Sequence, residues 1–170
     1  MIVASIQGCR DALGPFDPDM LVSIFSPRHP VRILKSELDK HLALCCHDIE
    51  EPYPRLQMPR RGSVEYILDK VKARAPERIL IHCTAGLSRS PALAVAVLAS
   101  QGVEPGEACR AVHEAVPEAS PNRAILALAG EIIGLDLVAP ANATFAYNRG
   151  TFGAIGRRIG FREVSFPACN

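Results

Sequence analysis

Apolar residues fall in short unbroken runs and in stretches of helical period, and the two patterns alternate along most of the chain. Residues 1–6 are rich in Ile and Val and read as a short strand, followed by a turn that Gly8, Gly14, Pro15 and Pro18 punctuate. Residues 20–25, Met-Leu-Val-Ser-Ile-Phe, form a continuous run of strand length, the pattern of a strand covered on both faces. Residues 41–46 predict another strand, and the closely spaced Pro52 and Pro54 predict a loop over 50–54, because proline breaks helix and ladder alike. Val64, Ile67, Leu68 and Val71 stand at helical spacing and predict an amphipathic helix over 60–75 that Pro76 closes. A strand over 78–82 leads to a helix over 90–101, apolar on every side and therefore buried, which Gly102 ends. Helices over 105–115 and 121–133 follow, the second ending near Gly134.

Strands alternating with helices predict an α/β fold: a central, mainly parallel sheet of about four strands flanked by helices. This pattern occupies residues 1–138. From Ala139 onward the period is lost, and residues 139–170 read as an irregular tail that docks Phe145, Tyr147 or Phe152 on the body.

Composition narrows the function classes. With 170 residues, 48% of them hydrophobic, the chain has enough apolar side chains for one domain with a sizeable core. The formal charge of +1 supplies no global basic field, so neither nucleic acid nor a membrane surface is expected as a partner. Any phosphate site must then be built locally, from backbone donors and one or two cations. Residues 1–6 are too short and uncharged for a secretory signal, and the longest apolar stretch, 92–99, is too short to span a bilayer. These features predict a cytoplasmic protein whose six cysteines are free thiols. Arg157 and Arg158 read as a solvated pair.

The chemistry gathers in one run, His82-Cys83-Thr84-Ala85-Gly86-Leu87-Ser88-Arg89-Ser90. With six Cys and fifteen Arg in the chain, a Cys followed by an Arg six places on would arise by chance about half the time. The flanking His, Gly and Ser, and the position between a buried strand and a buried helix, make the run informative. Five residues between Cys83 and Arg89 suffice to curl the backbone so that successive N–H groups face one cup. Gly86 allows a backbone angle or a close approach that a side chain would resist. The helix after Arg89 aims its free N–H groups at the same cup, a field that favours a thiolate at Cys83. Arg89 offers a planar fork for two phosphoryl oxygens, and Pro91 suits a first helical turn.

Residues 82–90 resemble the signature loop of the protein tyrosine phosphatase superfamily, and the Ser-Arg-Ser ending resembles its dual-specificity branch. The resemblance covers about residues 1–135. It implies that Cys83 is the nucleophile and Arg89 the phosphate clamp, with the amides of Thr84, Ala85, Gly86, Leu87 and Ser88 completing the substrate site. It further implies that Ser90 hydrogen-bonds the sulfur and that His82 fixes the loop rather than acting as a base. The family's general acid is an Asp on a separate upstream loop. Asp48, 35 residues before Cys83, stands in that place, with Glu50 and Glu51 as rivals and Asp39 and Asp69 badly placed. Asn122, in Ser120-Pro121-Asn122, matches a Pro-Asn position that buttresses active-site loops in related phosphatases; the alternative is a helix N-terminal residue and nothing more.

The implied reaction is phosphomonoester hydrolysis through a phosphocysteine, with no cofactor, on phosphotyrosine and on phosphoserine or phosphothreonine in proteins. The loop interior lacks Lys and His, which argues against phosphoinositides. Glu50 and Glu51 beside the site would disfavour acidic peptides. Phosphatases of small molecules or RNA ends, and an inactive module that binds phosphorylated partners, remain as alternatives, and the oligomeric state is open. Cys45-Cys46-His47-Asp48 does not read as a metal site, because neighbours on a strand point to opposite faces. Either Cys45 or Cys46 is instead a candidate redox partner for Cys83.

Overall fold

In the computed structural model, which describes residues 1–27, 40–146 and 159–165, the elements follow the order β1 Ile2–Ser5, α1 Ile6–Phe16, β2 Met20–Phe25, β3 His41–Cys45, α2 Arg61–Arg74, β4 Ile79–Cys83, α3 Arg89–Ser100, α4 Pro105–Ala115, α5 Arg123–Ile133, α6 Val138–Thr144 and β5 Phe161–Glu163. The sheet order is β3-β2-β4-β1-β5. The first four strands are mutually parallel, and β5 closes one edge antiparallel to β1.

Strand periodicity sorts the side chains into two layers. Ile2, Ala4, Leu21 and Leu80 face α1 and meet its Cys9 and Ala12. Val3, Met20, Val22, Ile24, Ile79, Ile81 and Cys83 face the opposite way, into the larger core formed with α2, α3, α4 and α5. The apolar helix α3 lies at the centre of that layer, buried from Arg89 to Ala99. Its four alanines between Ala92 and Ala99 let neighbouring elements approach closely, so apolarity on all sides is matched by cover on all sides.

The structure departs from the sequence expectation at both ends. Residues 6–16, read as a turn, are helical despite Gly8, Gly14 and Pro15. Ser5 starts α1 by accepting a hydrogen bond from the Gly8 N–H (3.1 Å), and Asp17 ends it in a left-handed conformation with φ 42°. Pro15 falls in the last turn, where the missing N–H costs a single intrahelical bond. Burial of Gly8, Cys9 and Ala12 outweighs the weak local propensity.

The stretch expected to be irregular from Ala139 onward contributes most of α6 and the edge strand β5, which makes the sheet five-stranded. Phe145 docks as expected, buried and edge-to-face on His113 of α4 with ring centroids 5.4 Å apart. Asp39, Tyr147, Phe152, Arg157 and Arg158 lie outside the described residues. Among the described residues no helix is long and apolar enough to cross a membrane.

Candidate active site

Strand β4 delivers Cys83 to the end of the sheet and α3 begins at Arg89, so the five residues between them must turn within the reach of one loop. Four of their carbonyls are held from outside by backbone donors. Ile6 N–H donates to Thr84 (3.4 Å), Ile159 to Ala85 (3.1 Å), Ser120 to Leu87 (2.8 Å) and Asn122 to Ser88 (3.2 Å). In a planar trans peptide the carbonyl and the next N–H point in opposite directions, so each outward carbonyl sends an amide inward. Gly86 has φ +83°, and a Cβ there would collide with the Ile159 side chain and stand 2.8 Å from Ser5 N. Glycine is required on both counts.

Cys83, 2% exposed, places its sulfur at the floor of this cup. It accepts hydrogen bonds from the Gly86 N–H and the Ser90 hydroxyl, each 3.2 Å away. Two donors therefore converge on one sulfur. Ser90 is fully buried, with its hydroxyl on the sulfur rather than capping α3.

Arg89 is buried to within 4% and is oriented on three sides. Its Nη1 donates to the Cys46 carbonyl (2.9 Å) and the Ser26 hydroxyl (3.3 Å), and its Nη2 to the Thr84 hydroxyl (3.2 Å). Among the described residues the buried Nε has no hydrogen-bond partner; the Asp48 carboxylate forms an ion pair with it at 3.7 Å, beyond hydrogen-bond reach. The ion pair with Asp48 leaves this buried N–H without a hydrogen-bond acceptor, and an anionic oxygen in the cup is one its chemistry fits.

Asp48 follows β3 and is brought over the cup by two donors, the Ser88 hydroxyl at 2.7 Å and Asn122 Nδ2 at 3.0 Å. Asn122 makes contacts in both directions. Its Oδ1 caps α5 by accepting from the Ile125 N–H (3.1 Å), while its Nδ2 also donates to the Ile49 carbonyl (3.2 Å). Glu50 is directed elsewhere. Its carboxylate takes the Arg123 main-chain N–H (2.9 Å) and the guanidinium at Nε (2.9 Å) and Nη2 (2.6 Å) at the start of α5. That pairing turns the Glu50 carboxylate toward Arg123, while Glu51 is exposed.

His82 and Cys83 are consecutive on β4 and so point to opposite faces, which prevents the imidazole from serving the thiol directly. His82 is fully buried on the α1 side, with Nε2 2.7 Å from the Ser23 hydroxyl; Ser23 is also 2.7 Å from His41 Nε2. Burial pushes the His82 pKa down to about 4, with the neighbouring His41 adding to the shift and the Cys83 backbone opposing it. His82 is therefore neutral at physiological pH.

The five described cysteines are free. Cys46, unlike Cys45, shares the apolar cluster of Cys83, and burial pushes its thiol up to about 12. His47 accepts the Gln57 N–H on Nδ1 (2.8 Å), which ties down the base of the Asp48 loop.

Sequence reasoning missed Ser23, Ser26, His41, Ile159 and the Glu50–Arg123 pair. All act through contacts between distant segments, and only Ser26, at the end of an apolar strand, carried a local hint.

No protein-family model and no curated protein matches the chain. Solved structures do. Human DUSP28 superposes with a TM-score of 0.56 at 19% identity, over 77% of this chain and 87% of that one. The chain has the dual-specificity phosphatase fold. The PTP-2 phosphatase of Cydia pomonella shares it, with a TM-score of 0.58 at 20% identity over 76% of this chain and 83% of its own. So does PTPMT1, solved in complex with PI(5)P, with a TM-score of 0.52 at 18% identity over 81% of this chain and 89% of its own. Within this dual-specificity fold, the cup of residues 83–89 lies where β4 gives way to α3.

Proposed function

We propose that the chain is a cysteine-dependent phosphatase that hydrolyses phosphomonoesters through a phosphocysteine, acting on phosphotyrosine and on phosphoserine or phosphothreonine in proteins. The observation that carries this reading is the buried Nε of Arg89, ion-paired with Asp48 at 3.7 Å but without a hydrogen-bond acceptor among the described residues, beside a cup whose floor is the doubly hydrogen-bonded Cys83 sulfur.

In the first step the Cys83 thiolate attacks phosphorus in line, forming the S–P bond as the P–O bond to the leaving group breaks. Arg89 and the inward amides hold the three equatorial oxygens, where charge is greatest in the transition state. Asp48 gives its proton to the departing oxygen. In the second step Asp48 takes a proton from water, whose oxygen attacks phosphorus and expels the sulfur. Ser90 donates to the thiolate as it returns. The loop and Arg89 supply the charge stabilisation, so the steps need no metal.

A protein substrate is favoured over a phosphoinositide because the loop interior, Thr84 to Ser88, carries no cation to meet additional phosphates. The deciding assay is hydrolysis of a chromogenic aryl phosphate by wild type, Cys83→Ser and Asp48→Ala across pH. Cys83→Ser loses activity almost completely, and Asp48→Ala loses about 10²–10⁴-fold together with the pH dependence of the acid. Wild-type turnover in Cys83→Ser overturns the reading. A panel of phosphopeptides, sugar phosphates, nucleotides and 5′-phosphorylated RNA then separates protein from small-molecule and RNA-end substrates.

A further inference from the structure

The segment 159–165 passes behind the cup, more than seventy residues along the chain from the loop it touches. It is tied down along its length. Ile159 N–H donates to the Ala85 carbonyl (3.1 Å), the Gly160 carbonyl accepts from Ser5 N–H (3.1 Å), β5 pairs with β1, and Val164 N–H donates to the Met1 carbonyl (2.9 Å). Ile159 and Val164 are buried. Two glycines leave room for it: a Cβ on Gly8 would collide with the Gly160 carbonyl, and a Cβ on Gly86 would collide with the Ile159 side chain.

One peptide unit gives this contact a chemical consequence. The carbonyl of the Ala85–Gly86 peptide is bound by Ile159, and its N–H is the one that donates to the Cys83 sulfur. Because the unit is planar, fixing one end fixes the other. Flanking glycine leaves this peptide freer to rotate than its neighbours, so the constraint must come from outside the loop.

We propose that residues 159–164 form an intramolecular strut and that Ile159 is a positioning residue: by holding the Ala85 carbonyl outward it aims the Gly86 N–H at the Cys83 sulfur. This deepens the phosphatase reading, since it assigns the C-terminal segment a role in nucleophile activation.

The test uses the full-length chain and follows iodoacetamide alkylation of Cys83 by mass spectrometry across the acid and neutral range. Ile159→Pro removes the N–H, and alkylation below the wild-type midpoint slows about tenfold, the effect of losing one hydrogen bond to a charged group. Ile159→Val keeps the N–H and follows the wild-type profile. Superimposable profiles for wild type and a folded Ile159→Pro overturn the proposal. Should Ile159→Pro fail to fold, hydrogen exchange on the wild type decides. By linkage, vanadate or inorganic phosphate, its binding first confirmed by titration calorimetry, increases protection of the Ile159 amide; unchanged exchange with the anion bound overturns the strut. Alkylation and exchange do not depend on turnover, so a chain inactive on aryl phosphate would refute the phosphatase reading while leaving the strut to be judged on its own.

Discussion

Asn122 joins a helix cap to the carboxylate of Asp48, and its two functions can be separated by substitution. Asn122→Ser keeps an oxygen that can accept from the Ile125 N–H, but it removes both donations of Nδ2, to Asp48 and to the Ile49 carbonyl. Asn122→Ala removes all three. Loss of the cap costs about 1 kcal/mol of stability. Loss of a hydrogen bond to a charged group is worth about 1.5–3 kcal/mol, and Ser88 still holds Asp48 at 2.7 Å, so the lower end applies to placement of the acid. That corresponds to a fall in kcat of about tenfold. The discriminating measurement pairs thermal unfolding with turnover of two aryl phosphates, one whose phenol leaves without a proton and one whose phenol needs it. Asn122→Ser loses rate on the poor leaving group only, and Asn122→Ala loses the same rate and additional stability. Equal losses of Asn122→Ser on both substrates, or none on the poor one, would refute the argument that Asn122 serves the acid.

Acidification is expected to weaken the fold through His82. Its folded pKa of about 4 lies below the unfolded value near 6.5, so the unfolded chain binds the extra proton. Stability is therefore full above 6.5 and falls by about 3 kcal/mol as pH drops through the window to 4; denaturant titrations of His82→Gln show a shallower dependence. Glu50→Gln retains activity within several-fold because an exposed ion pair contributes about 1 kcal/mol or less, whereas Asp48→Asn falls by about 10²–10⁴; comparable losses in the two would reassign the acid. Peptide mapping after brief alkylation at neutral pH finds Cys83 modified and Cys9, Cys46 and Cys109 intact, since burial holds those three thiols at about 12, 12 and 11. Modification of Cys46 before Cys83 would contradict that ordering.

What could be read from the chain alone was whatever physical chemistry decides within one element and its immediate neighbour. An unbroken apolar run must be covered on both faces, so β2, β4 and α3 were legible, and the His, Gly and Ser around Cys83 and Arg89 marked the loop between them as the candidate site. The positions of α2, α4 and α5 followed from their periodicity to within a residue or two. Tertiary structure decided the rest, because the deciding contacts join segments that no local pattern connects. Helix α1 forms across glycines and a proline because its apolar side is buried on the sheet. The edge strand β5 exists because β1 offers it an open row of hydrogen-bonding groups. Asp48 stands over Arg89, and not Glu50, because Ser88 and Asn122 hold the first while Arg123 holds the second. Burial and directed hydrogen bonds between distant residues appear only once the chain has closed on itself, and they choose among the candidates that composition and spacing leave equal.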